Sequence, residues 1–404
     1  MKILFLADDF PPTSFGGAGI STYELALGVQ KAGHEVFVVT TCRKEGEAGE
    51  SEYHGLTVFK IASDYPERWR AWRSLYNPPV VRQVEALLRQ IRPDVVHANN
   101  IHYHLSYYCL KLAKCYARVV VWTARDAMAF SYGKLVTKRY LEHLDARLTW
   151  RDNLQQAGKR WNPVRNFMIR NYLRLVDKRF SVSDALAKAL EQNNIYPVES
   201  VHTGIDTSAW QVSASAVSAF RKKYGLERKK VILFGGRLGA GVQVVRAVRL
   251  VAEMQDNTVL LVMGKEESAE RMKSESESEG LQVMYTGWIS GEEKIVAYHA
   301  ADVVLVPSTY FDAFPRSALE ASASGKPVIA TMFGGVAELV QDGVTGYIVD
   351  PRHAEDIAEK TLDLLQHPER AEAFGKAGQE RVKTDFNLND YVARYLAHYR
   401  TLLG

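Results

Sequence analysis

The stretch Val303–Ala330, VVLVPSTYFDAFPRSALEASASGKPVIA, decides the fold. It opens on four consecutive apolar β-formers, Val303–Val306, and closes on a second short apolar run, Val328–Ala330. Runs without a polar face fit parallel strands covered on both sides. Between them Pro315 suits the first position of a helix, because its φ is already fixed there and its missing N–H is not needed. Gly325 suits the end of that helix. Strand, helix, strand is a βαβ unit. It puts Asp312 in the loop before the helix and Glu320 about one and a half turns inside it.

Outward from this unit the same alternation recurs. Upstream runs predict strands at Ile3–Ala7, Val36–Thr40, Val95–Val96, Val119–Trp122 and Phe180–Val182, then at Val231–Phe234, Val259–Met263 and Val283–Tyr285; Tyr347–Val349 follows downstream. Amphipathic stretches lie between. In Ala354–Gln366, residues Ala354, Ile357, Ala358, Thr361, Leu362 and Leu365 share one helical face. The pattern predicts the α/β class, with two doubly wound domains. The break falls near 200–215, where HTGIDTSAW and the Ser/Ala-rich SASAVSA interrupt the periodicity. RKEGEAGE (43–50) and SESESEG (274–280) read as loops or exposed helix ends.

Composition narrows the function classes. A chain of 404 residues with 47% apolar and 24% charged residues has room for two or three domains and is not disordered. No apolar run reaches the roughly 18 residues of a membrane span. The apolar run before Asp8 and Asp9 is too short for a secretion signal. Cys42, Cys109 and Cys115 are the only cysteines, which argues against a disulfide scaffold and fits a reducing cytoplasm. The net charge of +4 is uneven: residues 1–200 carry +8 and residues 201–404 carry −4. Segment 134–180 holds 12 basic and 4 acidic residues, with Tyr140, Trp150, Trp161 and Phe167 interleaved. Arg68–Arg73, RWRAWR, repeats the chemistry. Arg with Trp fits an anionic membrane surface. No nucleic-acid-binding motif accompanies the charge, so nucleic acid is not expected. A solvated basic face is the plain alternative.

Two glycine-rich loops follow strands and open helices, where bare N–H groups favour an anion. The first is Ser14–Gly19, containing Gly16 and Gly17. Counted from Gly17, its third glycine position of a dinucleotide fingerprint is Thr22, which disfavours a nicotinamide enzyme. The second is Gly235–Gly241, where Arg237 could take a phosphate bidentately. No P-loop, Gly-x-Ser-x-Gly elbow or Asp-x-Asp pair occurs. His97, His102 and His104 lack nearby cysteine or carboxylate support, so no metal is expected there. Read alone, Asp312 and Glu320 suit a sugar-and-ribose clamp, acid/base work or mere surface acids.

Taken in order, these blocks resemble the retaining, nucleotide-sugar-dependent glycosyltransferases of family 4 (group 1), with the two-Rossmann-domain GT-B fold. The resemblance covers FGGAG (15–19), PDVVHANN (93–100), SVSDALAKAL (181–190), HTGID (202–206), FGGRL (234–238), TGWIS (286–290), and AADVVLVPS (300–308) through GGVAELVQDGVTGYIVDP (334–351). It implies an acceptor-side domain over 1–205, a donor domain over 206–386 and a helix over 387–404 returning to the first domain across a central cleft. It also implies that Asp312 and Glu320 fill the acid-x7-acid signature, with Asp where Glu is usual. Glu320 would bind ribose, Asp312 the transferred sugar and Arg237 the diphosphate. Gly16 and Gly17 would approach the phosphates; Gly287, Trp288 and Ile289 would lie near the base; Phe314, Pro315 and Arg316 would border the donor. His102, Arg125 and Asp126 are candidate acceptor or sugar contacts.

Three departures stand out. The Lys that usually follows the diphosphate Arg is missing from Gly-Arg-Leu-Gly-Ala-Gly. Arg125 replaces a frequent His, and Pro315 a frequent Gly. The expected activity is metal-independent sugar transfer, without a cofactor, from a UDP- or GDP-linked donor to a glycan or lipid-linked acceptor in cell-surface polysaccharide or glycoconjugate synthesis. The expected location is the cytoplasm, with peripheral membrane contact through 134–180 and 68–73. A GT-B nucleotide-sugar epimerase and a degenerate nucleotide-sugar-binding subunit are the alternatives.

Overall fold

The computed structural model describes residues 1–12, 16–234, 241–264, 272 and 281–404. The chain forms two compact units, one of residues 1–204 with 388–404 and one of residues 205–387.

The first unit is built on an eight-stranded sheet. Its strands are β1 (Lys2–Leu6), β2 (Glu35–Cys42), β3 (Gly49–Tyr53), β4 (Leu56–Ala62), β5 (Val95–Ala98), β6 (Val119–Ala124), β7 (Lys178–Ser181) and β8 (Glu199–Ser200). They lie in the order β3-β4-β2-β1-β5-β6-β7-β8. All pair in parallel except β3 with β4. The chain winds outward from β1 one way, then returns and winds the other way from β5. That reversal opens a crevice at the carboxyl ends of β1 and β5. Ile3, Phe5, Val38, Val95 and Val121 pack under the helices Gly17–Lys31 and Leu388–Leu403, which supply Leu25, Val29, Tyr395 and Tyr399. The two helices meet at Gly28, where an added Cβ would stand 2.4 Å from Val392 Cγ2.

The second unit repeats the winding with β9 (Lys230–Phe234), β10 (Thr258–Met263), β11 (Val283–Gly287), β12 (Val303–Val306), β13 (Val328–Thr331) and β14 (Gly346–Val349). The order is β11-β10-β9-β12-β13-β14, all parallel, and the reversal lies between β9 and β12. Both faces are apolar, as continuous runs require: Val231, Leu233, Val304 and Val306 serve one core, and Ile232, Phe234, Val303 and Leu305 the other. The amphipathic helix is Ala354–Gln366; Leu364 joins its buried face, while Leu362 is only half-buried.

Four local readings need correction. RKEGEAGE is not wholly loop: Glu45–Glu47 forms a 3₁₀ turn and Gly49–Glu50 begin β3. β3 and β4 escape the apolar-run criterion because β4 (LTVFKIA) is broken by Thr57 and Lys60, with only Leu56 and Val58 on the face that joins the core under the helix Gly17–Lys31, and β3 is a largely polar edge. SASAVSA (213–219) supplies the cap and the first turns of the helix Ala214–Lys223, since Ser213 Oγ accepts the Ala216 N–H and alanine favours helix. The helix after Asp312 spans Arg316–Ala323, with Pro315 one position earlier, as its N-cap. SESESEG lies outside the described residues.

Candidate active site

In the second unit the reversal brings the ends of β9 and β12 side by side, with Leu305 paired to Phe234. Arg237, three residues beyond Phe234, lies outside the described residues. The loop after β12 carries Asp312. Ser308 Oγ donates to Asp312 Oδ2 at 3.3 Å. The backbone of Asp312 bridges to Gly334 and accepts the Gly335 N–H at 2.9 Å. A Cβ on Gly334 would stand 1.9 Å from the Asp312 carbonyl oxygen, and its φ is +91°, so this contact requires glycine. Phe314 packs on the core, 5.6 Å from the Phe386 ring.

Glu320 is buried on the helix that follows. Its Oε1 accepts from Lys294 Nζ at 2.7 Å and from Arg316 Nε at 3.0 Å, and its Oε2 from Tyr298 Oη at 3.1 Å. Burial alone would raise the Glu320 pKa, but Lys294 and Arg316 outweigh it and hold the carboxyl below its ordinary range. The carboxylate is therefore ionised at neutral pH and keeps acceptor capacity on Oε2. Lys294 and Tyr298 stand four residues apart on the helix Gly291–Ala300, so they share the face that meets Glu320. Sequence reading missed both, and also Ser308 and Gly334. The i, i+4 spacing and the Gly334-Gly335 pair were the available signals, but neither names its partner. Gly287 ends β11, and Trp288 follows it half exposed, while Ile289 packs on the core.

In the first unit, Gly16 caps the helix Gly17–Lys31, whose first turn carries no acid. Residues 13–15 of this loop lie outside the described ones. At the end of β1, buried Asp8 accepts three backbone N–H groups, from Tyr103 (2.6 Å), His104 (2.8 Å) and Leu105 (2.7 Å). Burial outweighs those bonds and pushes its pKa up to about 7.

The three expected acceptor contacts divide. His102 Nε2 lies 3.6 Å from Asp126 Oδ2, which also accepts from Asn100 Nδ2 at 3.0 Å. Burial, helped by Arg70 and Arg165 and opposed by Asp126, lowers the His102 pKa to about 4, so its imidazole is neutral at pH 7. Arg125 follows β6 but turns inward, donating to Asn99 Oδ1 and Tyr391 Oη, both at 2.9 Å. Its guanidinium ties the helix Leu388–Leu403 to the sheet. Arg165, also buried, donates to the Met128 and Ser131 carbonyls and supports the segment beyond Asp126. The other histidines go elsewhere: His97 bonds Tyr399 and Thr123, and His104 bonds Ser63.

The two basic aromatic segments form one face of this unit. Arg160 pairs with Glu67 at 3.2 Å, and Asn162 Nδ2 donates to the Ala71 carbonyl. Trp69, Trp72, Trp150 and Phe167 are each about half exposed there. Among the described residues no helix is long and apolar enough to cross a membrane.

Two α/β units with these sites define a GT-B glycosyltransferase fold. Residues 217–381 match the family described as Glycosyl transferases group 1, and residues 15–209 match Glycosyltransferase Family 4. The chain belongs to this glycosyltransferase family. It is 23% identical to glycogen synthase of Mycobacterium tuberculosis over 407 residues, covering 96% of this chain and 91% of that protein. A GDP-mannose-dependent alpha-(1-6)-phosphatidylinositol monomannoside mannosyltransferase of the same organism is 29% identical over 209 residues, or 49% of this chain and 54% of that one. Among solved structures, sucrose-phosphate synthase from Thermosynechococcus elongatus superimposes with a TM-score of 0.79 at 20% identity, covering 99% and 98% of the two chains.

Proposed function

We propose that the protein transfers a sugar from a UDP- or GDP-linked donor, with retention of configuration and without a metal, to a glycan or lipid-linked acceptor in cell-surface glycoconjugate synthesis. The observation that carries this reading is Glu320, held ionised at the carboxyl end of the donor-side sheet beside the loop of Asp312. An ionised carboxylate with a free lone pair suits a ribose diol, and Asp312 suits hydroxyls of the transferred sugar. Arg237 and the N–H groups at the start of the helix Arg316–Ala323 answer the charge that develops as the diphosphate leaves. Preorganised N–H donors at such a helix start are worth roughly 3–4 kcal/mol each. Arg316, on the first turn of that helix, adds a cation in a chain that lacks the usual Lys after Arg237.

With retention, the acceptor hydroxyl attacks the anomeric carbon on the face the diphosphate leaves. The C–O bond to phosphate breaks as the new glycosidic bond forms, and the departing phosphate oxygen takes the hydroxyl proton. Asp126 and neutral His102 are polar contacts for the acceptor. The basic aromatic face supports peripheral contact with an anionic membrane, in keeping with the lipid acceptor in the mannosyltransferase relative's name. The test follows nucleoside diphosphate release and the product's anomeric proton by NMR, in EDTA. Acceptor-dependent release with the donor's own anomeric configuration is expected. An inverted product, a trapped glycosyl-enzyme adduct or strict dependence on added metal would refute it.

A further inference from the structure

The basic face of the first unit contains a recess of about 330 Å³ that the transferase reading does not use. Arg170, Arg174 and Arg179 line it together with Phe167 and Tyr196. No acidic residue lines it. Arg179 donates to the carbonyls of Leu173 (2.9 Å) and Pro197 (3.4 Å), and Arg174 to Asn171 Oδ1 (3.4 Å). No hydrogen bond or ion pair engages the Arg170 guanidinium among the described residues, and no carboxylate pairs with any of the three. Burial, and then the neighbouring Arg174, depress the pKa of both Arg170 and Arg179. Three guanidinium groups held together without a counter-charge repel one another, and a multivalent oxyanion relieves that repulsion.

The recess also lies apart from the candidate acceptor site. Arg174 precedes β7, Arg179 is its second residue, and Tyr196 lies in the segment leading into β8. These mark the amino-terminal edge of the sheet, whereas Asp8, Asn100 and Asp126 follow the carboxyl ends of β1, β5 and β6. The helix Arg165–Leu173 spans the two edges, about 13 Å at 1.5 Å per residue. A second recess along it, of about 210 Å³ and lined by Trp150 and Trp161, shares Phe167 and Arg170 with the first. Cationic and aromatic surface are thus continuous, and Trp150, Phe167 and Tyr196 are all more than half exposed.

We propose that the Arg170–Arg174–Arg179 recess binds the phosphate of an anionic membrane lipid headgroup while the adjoining aromatic rings enter the headgroup layer. This rests on the reading that the basic face meets a membrane. Forked guanidinium groups grip phosphate bidentately, which lysine cannot do. The site therefore differs from diffuse attraction by depending on arginine rather than on charge alone.

The experiment is co-sedimentation of the full chain with phosphatidylcholine vesicles containing or lacking phosphatidylglycerol, beside calorimetric titration with inorganic phosphate. The wild-type chain should sediment only with the anionic vesicles. The R170K/R174K/R179K variant, which keeps the charge, should bind at least about tenfold more weakly. K188Q, an exposed charge removed from the helix Asp184–Gln192, should bind as the wild type does; circular dichroism verifies that each variant is folded. Vesicle binding by the lysine variant equal to wild type overturns the recess but leaves membrane contact standing. Absence of vesicle binding by the wild type overturns both. Equally arginine-dependent binding of inorganic phosphate without vesicle binding assigns the recess to a soluble anion and overturns the lipid assignment.

Discussion

Glu320 shows how one residue can combine a structural and a functional role. It carries the single negative charge beside Lys294 and Arg316, so removing that charge leaves two cations crowded at a buried position. Breaking such a pair costs on the order of 3 kcal/mol, somewhat less here because Lys294 is partly solvated. Glu320→Gln is therefore expected to lower the melting temperature and abolish nucleotide binding; calorimetry on the still-folded variant reads both. Its depressed pKa also has a sign. The stabilisation is present above the ordinary carboxyl range and is lost as pH falls through the lower folded value. Asp8 behaves in the opposite way. With its pKa raised to about 7, it stabilises most fully when protonated, and that contribution fades as pH rises from about 4 to 7. Asp8→Asn would turn an N–H donor toward one of the three backbone N–H groups now bonded to the carboxyl. A loss of about 1–3 kcal/mol in urea denaturation is expected.

At the scale of elements, two close approaches set the placement of loops and helices. Gly334→Ala would push its new methyl into the Asp312 carbonyl, displacing the loop rather than the core. Donor turnover should fall at least about tenfold and the melting temperature should fall with it, because the clash is with backbone at a positive φ and the main chain of the loop has to move. Unchanged kinetics would show that this loop does not position the reaction. Gly28→Ala meets Val392 Cγ2, the tip of a side chain, so the clash can be relieved by changing the partner. A cost of about 1–2 kcal/mol is expected for G28A. Adding V392A should recover part of it, and failure of that rescue in a double-mutant cycle would sever the proposed contact. The elements legible in the sequence were those whose signal is local. Apolar runs gave eleven of the strands, and Gly325 and Pro315 bracketed the helix of Glu320 to within a residue. β3, β4 and β8 were missed because an edge strand, or one broken by polar residues, carries little continuous apolar signal. The site was legible as residue types, Asp312 with Glu320, but not as contacts. Lys294 lies 26 positions from Glu320, and Arg125 looks like a site residue until Asn99 and Tyr391 claim it.

For the whole molecule, acid response follows from the buried histidines of the first unit. Burial lowers the pKa of His102 and of His104 to about 4, and that of His97 well below its usual value. Each binds a proton more readily unfolded, so each costs stability as pH falls from about 6.5 toward 4. Three such groups outweigh the single opposing contribution of Asp8. The urea midpoint should therefore fall between pH 7 and 5, and Asp8→Asn should steepen the fall. A midpoint that rises over that range would contradict these assignments. Charge asymmetry belongs to the same scale: a first half at +8 beside a second at −4 favours anionic acceptors over anionic donors for long-range attraction. The central claim, a nucleotide-sugar site that needs no metal, is tested most directly by isothermal titration of the purified chain with UDP, GDP, ADP and dTDP in EDTA. Saturable binding of one nucleotide, lost in both Arg237→Ala and Glu320→Gln, is the predicted result. No binding by any of the four, or binding that appears only with added divalent metal, would contradict it.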